Sequence, residues 1–144
     1  LWLCANVQVG GDSVLSWCAG FLDPFARLLG LDGVLLTAFL LAFPANELFL
    51  PAALMLYLSA GSLTEYGSLA QLHALLAEHG WTELTAVCTA LFTLAHWPCS
   101  TTCLTIARET RSARWTALSI ALPTGVGMVL CFLTASAARL LGLA

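Results

Sequence analysis

Two long apolar stretches of this chain are each interrupted by proline and a set of polar, metal-competent residues. The first interruption reads Phe43-Pro44-Ala45-Asn46-Glu47 and the second His96-Trp97-Pro98-Cys99-Ser100-Thr101-Thr102. Proline removes a backbone donor and clashes with the preceding turn, so a helix that reaches it must stop or bend and free its carbonyls. In a lipid-facing helix such freed groups, and an acid, an imidazole or a thiol beside them, are tolerated only against protein or a hydrophilic path. Two breaks of this kind predict a transporter-like site built from discontinuous helices.

Composition places the breaks in a membrane setting. Of the 144 residues 60% are hydrophobic and 9% are charged, against about 25% charged in an ordinary soluble domain. The class this predicts is an all-α integral membrane protein. It would be a polytopic helical bundle with Pro-interrupted helices, discontinuous or re-entrant, and short amphipathic helices at the interface. Lys is absent and the Arg residues are Arg27, Arg108, Arg111, Arg114 and Arg139; no basic run with interleaved aromatics suggests nucleic acid. The cysteines Cys4, Cys18, Cys88, Cys99, Cys103 and Cys131 follow no disulfide-framework spacing. The chain opens on Leu1 and runs directly into apolar sequence, unlike a secretory signal. It reads as a piece of a longer polypeptide.

Leu1 to Val9 is expected to close a helix that Gly10-Gly11-Asp12 ends. In the interfacial segment from Ser13 to Leu29, Pro24 fits the first turn of a short helix capped by Asp23. Leu31 to Ala60 is long enough to cross once with a break at Pro44, or to enter and return as a hairpin. Within Gly61 to Gly80, the spacing of Leu69, Leu72, Leu75 and Leu76 predicts an amphipathic surface helix, with Gly80 just past its end. Trp81 to Ala107 carries the second break. The Arg108 to Arg114 turn follows, on the cytoplasmic side by the positive-inside rule. Trp115 opens a last span to about Ala137, with Gly125 and Gly127 permitting close helix approach.

Each break offers both a chemical and a structural role. Glu47 is a cation ligand or part of a proton path, or else a protonated acid bonded to a neighbouring helix. Asn46 is a neutral oxygen ligand, or the cap of the half-helix that follows. His96 and Cys99 stand three apart, which on a helix would put them on one face. Imidazole and thiolate together favour a borderline-soft divalent ion, and thiolate ligation would make affinity depend on pH. Both residues also fit plain packing roles. The hydroxyls of Ser100, Thr101 and Thr102 either coordinate a partly dehydrated ion or satisfy carbonyls that Pro98 frees. No G-x-S-x-G, H-E-x-x-H or P-loop signature is present, so no enzymatic chemistry is expected.

Leu31-Asp32-Gly33-Val34, Phe43-Pro44-Ala45-Asn46-Glu47, Gly80-Trp81-Thr82, the run His96 to Thr102, Glu109-Thr110 and Trp115-Thr116 together resemble the ferrous iron transport protein B family in order and spacing. The resemblance covers nearly the whole chain as residues 1–144 of a C-terminal membrane region that includes the second Gate region. It implies a multi-pass protein of the bacterial inner membrane that takes up Fe²⁺ as substrate. It also implies a first Gate region and an N-terminal GTPase domain using GTP and Mg²⁺, neither of which these residues contain. The partners it implies are the lipid bilayer, the rest of the transporter chain, small cytoplasmic accessory iron-transport proteins and further copies of itself. The family's Gate cysteine falls on Cys99, while Cys103 stands where an aliphatic residue is expected. The metal path would then comprise Cys99, Glu47, Asn46, His96, Ser100, Thr101 and Thr102. A nucleoside or small-solute permease of Gate-type architecture is the alternative, and a non-transporting scaffold is the other class.

Overall fold

The computed structural model describes residues 8–9, 12–58 and 68–142. Gln8–Val9 (β1) pairs antiparallel with Asp12–Ser13 (β2); the rest of the first expected helix, and residues 59–67 of the polar interval, lie outside the described residues. Every other described element is helical. The helices are α1 (Val14–Leu28), α2 (Gly33–Leu41), a 3-10 turn (Asn46–Leu48), α3 (Phe49–Tyr57), α4 (Leu69–Glu78), α5 (Glu83–Ala95), α6 (Ser100–Thr110) and α7 (Ala113–Leu140).

The helix start expected at Pro24 does not occur. Helix α1 runs through it, because proline there removes only the bond to the carbonyl of Gly20, on an exposed face. Asp23 is not the cap of its own helix. It accepts from the backbone N–H of Gly33 at 3.2 Å and pairs with Arg27 at 2.6 Å, serving the start of α2 instead. Helix α1 closes at Gly30, whose φ of 71° permits bonds from Leu31 N–H to Ala26 O and from Gly30 N–H to Arg27 O. The chain then turns by 110° into α2. Gly80 closes α4 in the same way at φ 83°, with Trp81 N–H bonded to Leu76 O and Gly80 N–H to Ala77 O.

Helix α2 is apolar on every side, as suits a helix surrounded by others, and Leu35 to Phe39 are buried. Asp32 caps it, accepting from Leu35 N–H at 2.7 Å. Helix α3 folds back along it. Phe49 at the start of α3 stacks on Phe39 near the end of α2, ring centres 4.0 Å apart. Tyr57 at the end of α3 donates its hydroxyl to Asp32 at the start of α2. The first broken stretch is therefore an antiparallel hairpin with Pro44 at its tip, one of the two forms its length allows. Trp81 Nε1 donates to the Tyr57 hydroxyl at 2.9 Å, tying the base of the hairpin to the entry of α5.

The second broken stretch does not fold back on itself. Helices α5 and α6 each pack on α7 and make little contact with one another. Cys88 meets Cys131 while Ala95 meets Gly127, so α5 runs antiparallel to α7, and α6 packs on α7 as well. The Arg-bearing turn is shorter than expected: only Arg111 and Ser112 leave the helices, and Arg111 turns the chain at φ 48°. Helix α7 has 28 residues, roughly 42 Å at about 1.5 Å each, ample for a hydrocarbon core of about 30 Å. It passes through Pro123 without a stop. Of its two candidate contact glycines, Gly127 lies against Ala95, while Gly125 faces open space. Among the described residues α7 alone is long and apolar enough to cross a membrane, with α1 and α2 as a bent second candidate.

The Asp32 network predicts a stability effect. Asp32→Ala leaves both the Leu35 N–H and the Tyr57 hydroxyl without their acceptor, which should cost about 2 kcal/mol. Thermal unfolding of the purified protein in detergent checks this, and an unchanged midpoint would show that the hairpin does not need this anchor.

Candidate functional site

The two breaks meet. The backbone N–H of Ser100 donates to the carbonyl of Phe43 at 2.9 Å, and the Ser100 hydroxyl donates to the carbonyl of Pro44 at 3.3 Å. A carbonyl at the end of α2 has no helical acceptor role left, and an N–H at the start of α6 has no helical partner. The hairpin tip and the α5–α6 gap thus satisfy each other's exposed backbone. Rings pack behind the junction: Phe39 lies edge-on to Phe92 at 4.9 Å and 5.3 Å from the His96 ring.

His96 and Cys99 do not share a helical face. His96 ends α5 in extended backbone, and Cys99 occupies the cap position of α6, also extended, because Pro98 prevents a helix from continuing between them. Each turns to its own partners. The Nδ1 of His96 lies 2.8 Å from the carbonyl of Thr93. A carbonyl can only accept, so Nδ1 is the donor, and Nε2 is left free of this bond. The sulfur of Cys99 lies 3.1 Å from the Thr101 hydroxyl and 3.2 Å from the Thr102 hydroxyl. Thr101 and Thr102 are exposed on the first turn of α6, while Cys99 and Ser100 are half-buried.

On the hairpin side Asn46 and Glu47 are exposed in the 3-10 turn. Asn46 does not act as a cap: it begins the turn itself, its carbonyl takes the N–H of Phe49, and Ala45 holds the cap position with no side-chain bond. Glu47 has no protein partner among the described residues. Nor do three His, Cys, Asp or Glu side chains among the described residues gather at one metal-sized point. What the junction offers is one thiol, one imidazole nitrogen, several hydroxyls and the tip carbonyls, on opposing sides of a seam.

Sequence reasoning missed further contributors. Cys103, which stands where an aliphatic residue is expected, donates to the carbonyl of Pro98 at 3.4 Å, so the sulfur satisfies a backbone group in the gap between α5 and α6. Trp97 is buried with its Nε1 lacking a partner among the described residues. Asp32 and Asp23 line an open cavity of about 420 Å³ at the hairpin base with Tyr57 and His79. The Asp32 cap was readable from an acid immediately before an apolar run. The pairing with Tyr57 spans 25 positions and has no local signal.

No curated protein and no solved structure matches the chain. The family model described as Gate, nucleoside recognition, matches residues 2–113, a range that contains both breaks and ends as α7 begins. Domains of this kind are of membrane-permease type and belong to transporter-type proteins, not enzymes. With its hairpin tip set into a broken helix and the family model spanning that junction, the chain belongs to the Gate (nucleoside recognition) family.

Proposed function

We propose that this chain is the ion-conducting part of a ferrous iron permease of the bacterial inner membrane. Fe²⁺ passes between the hairpin tip and the α5–α6 break, past Cys99, His96, Glu47, Asn46, Thr101 and Thr102, with Ser100 at the junction. The observation that carries this reading is the contact of Ser100 with Phe43 and Pro44, which sets the nitrogen- and sulfur-bearing break against the oxygen-bearing one. Mixed sulfur, nitrogen and oxygen donors suit a borderline divalent ion better than magnesium or calcium. His96 adds support, since a metal-binding imidazole commonly donates its other N–H to a backbone carbonyl, as Nδ1 does to Thr93. Helix α7 spans the bilayer with Arg108, Arg111 and Arg114 on the cytoplasmic side. The α2 and α3 arms, nine residues each, enter and return. GTP and Mg²⁺ act through a separate domain of the longer transporter, and accessory iron-transport proteins and further copies are partners of that whole.

Uptake of radiolabelled Fe²⁺ by cells that rely on the intact transporter tests the reading. Glu47→Gln removes the one acid at the tip and should slow uptake several-fold, and excess Mn²⁺ should compete. Wild-type rates for Glu47→Gln at normal expression, with no competition by Mn²⁺, would remove the case for a divalent ion.

A nucleoside or other flat solute is the second reading. It is favoured by the family description, by the ring cluster of Phe39, Phe92 and Trp97, and by the unpartnered Trp97 Nε1, a donor that no cation can use. Competition of uptake by nucleosides, with indifference to Mn²⁺, would favour it.

A further inference from the structure

The hairpin is held unequally along its length. Its base is fixed by Asp32, which accepts from Leu35 N–H and Tyr57, by Trp81 bonded to Tyr57, and by Asp23 bonded to Gly33 N–H. At the tip, residues 42–48, the hydrogen bonds that reach beyond the hairpin itself are, among the described residues, those from Ser100. Those bonds occupy the carbonyls of Phe43 and Pro44. Backbone carbonyls released at a helix break are the hard oxygen ligands that replace an ion's hydration shell in membrane sites. A dehydrated cation arriving at this junction must compete with Ser100 for them.

Resting on the reading of the junction as an ion path, we propose that Ser100 is a lock and not a ligand. It holds the tip shut through the Phe43 and Pro44 carbonyls, and these two carbonyls become cation ligands when Ser100 releases them. The hairpin pivots at its anchored base, and the lightly held tip moves. Bonds from one residue suit this task because an arriving ion replaces them one for one.

Lock and ligand predict opposite signs for the same substitution. Ser100→Ala keeps the backbone bond to Phe43 and deletes the hydroxyl bond to Pro44. Losing one neutral hydrogen bond is worth about fivefold in an equilibrium. In the intact transporter, modification of Cys99 by a small methanethiosulfonate reagent, read by peptide mass spectrometry, should therefore quicken about fivefold in Ser100→Ala. Initial Fe²⁺ uptake should rise with it, and Ser100→Thr, which restores a hydroxyl, should return both to wild-type rates. Unchanged labelling in Ser100→Ala overturns the lock, and so does a fall in uptake with labelling unchanged, the result expected of a lost hydroxyl ligand. If labelling quickens and Ser100→Thr reverses it while neither wild-type nor variant carries Fe²⁺, the lock stands and the iron reading fails.

Discussion

Cys99→Ser should lower ferrous iron uptake by the intact transporter roughly tenfold or more, since even outer-shell partners of a bound metal cost that much when removed. The substitution keeps the size and the hydrogen-bonding capacity that Thr101 and Thr102 meet at 3.1 and 3.2 Å, so folding should survive. What it removes is the soft donor, which separates a borderline ion from the harder ones. The pH dependence of uptake carries the sharper signature. A thiol must lose its proton to hold a metal, so each unit of falling pH below the thiol's own titration should weaken binding by up to about tenfold. Uptake should rise with pH in the wild type. Cys99→Ser should flatten that slope. A slope as steep in Cys99→Ser as in the wild type would remove Cys99 from the path.

Gly33→Ala should be the most damaging addition of a single methyl group in the described molecule. A Cβ at Gly33 would lie 2.0 Å from the carbonyl oxygen of Ala19, a backbone atom. A flexible side chain gives way to such an intrusion, but two packed helices must separate. The result is overpacking at a helix crossing, and about 3 kcal/mol or more is expected. Separating α1 from α2 would also move Asp23 away from Gly33 N–H and loosen the base on which the hairpin stands. Gly125→Ala on α7 is the matched control, with nothing within 4 Å of the added carbon. Thermal unfolding and expression of both variants check the contrast, and equal midpoints would show that the α1–α2 crossing is not so close.

Much of the local structure was legible because local chemistry decides it. Gly80 closes α4 because a left-handed residue favours glycine, and the leucines of α4 lie at helical spacing. The end of α5 at His96 and the restart at Ser100 follow from Pro98. The misreadings also have local causes. Pro24 looked like a first-turn proline after an aspartate cap, but Asp23 found a better partner in Gly33, ten positions away. His96 and Cys99 looked like one helical face because their spacing counts as helical only where a helix exists. Asn46 looked like a cap until the turn began on it. The two proline breaks looked alike, yet one folds the chain back on itself and the other does not.

The sequence by itself determined that two apolar segments must break, where they break, and which donors stand at each gap. Proline, freed carbonyls and side-chain chemistry are properties of a few adjacent residues, and they act the same way wherever the segment lies. Only the tertiary structure decided that the first segment returns on itself while both halves of the second pack on α7. That choice depends on packing between distant residues: Phe39 on Phe49, Tyr57 with Asp32, and Gly127 against Ala95. It also decided that the gaps meet, because the unpaired N–H of Ser100 and the unpaired carbonyl of Phe43 each lacked a partner in its own helix and found it in the other.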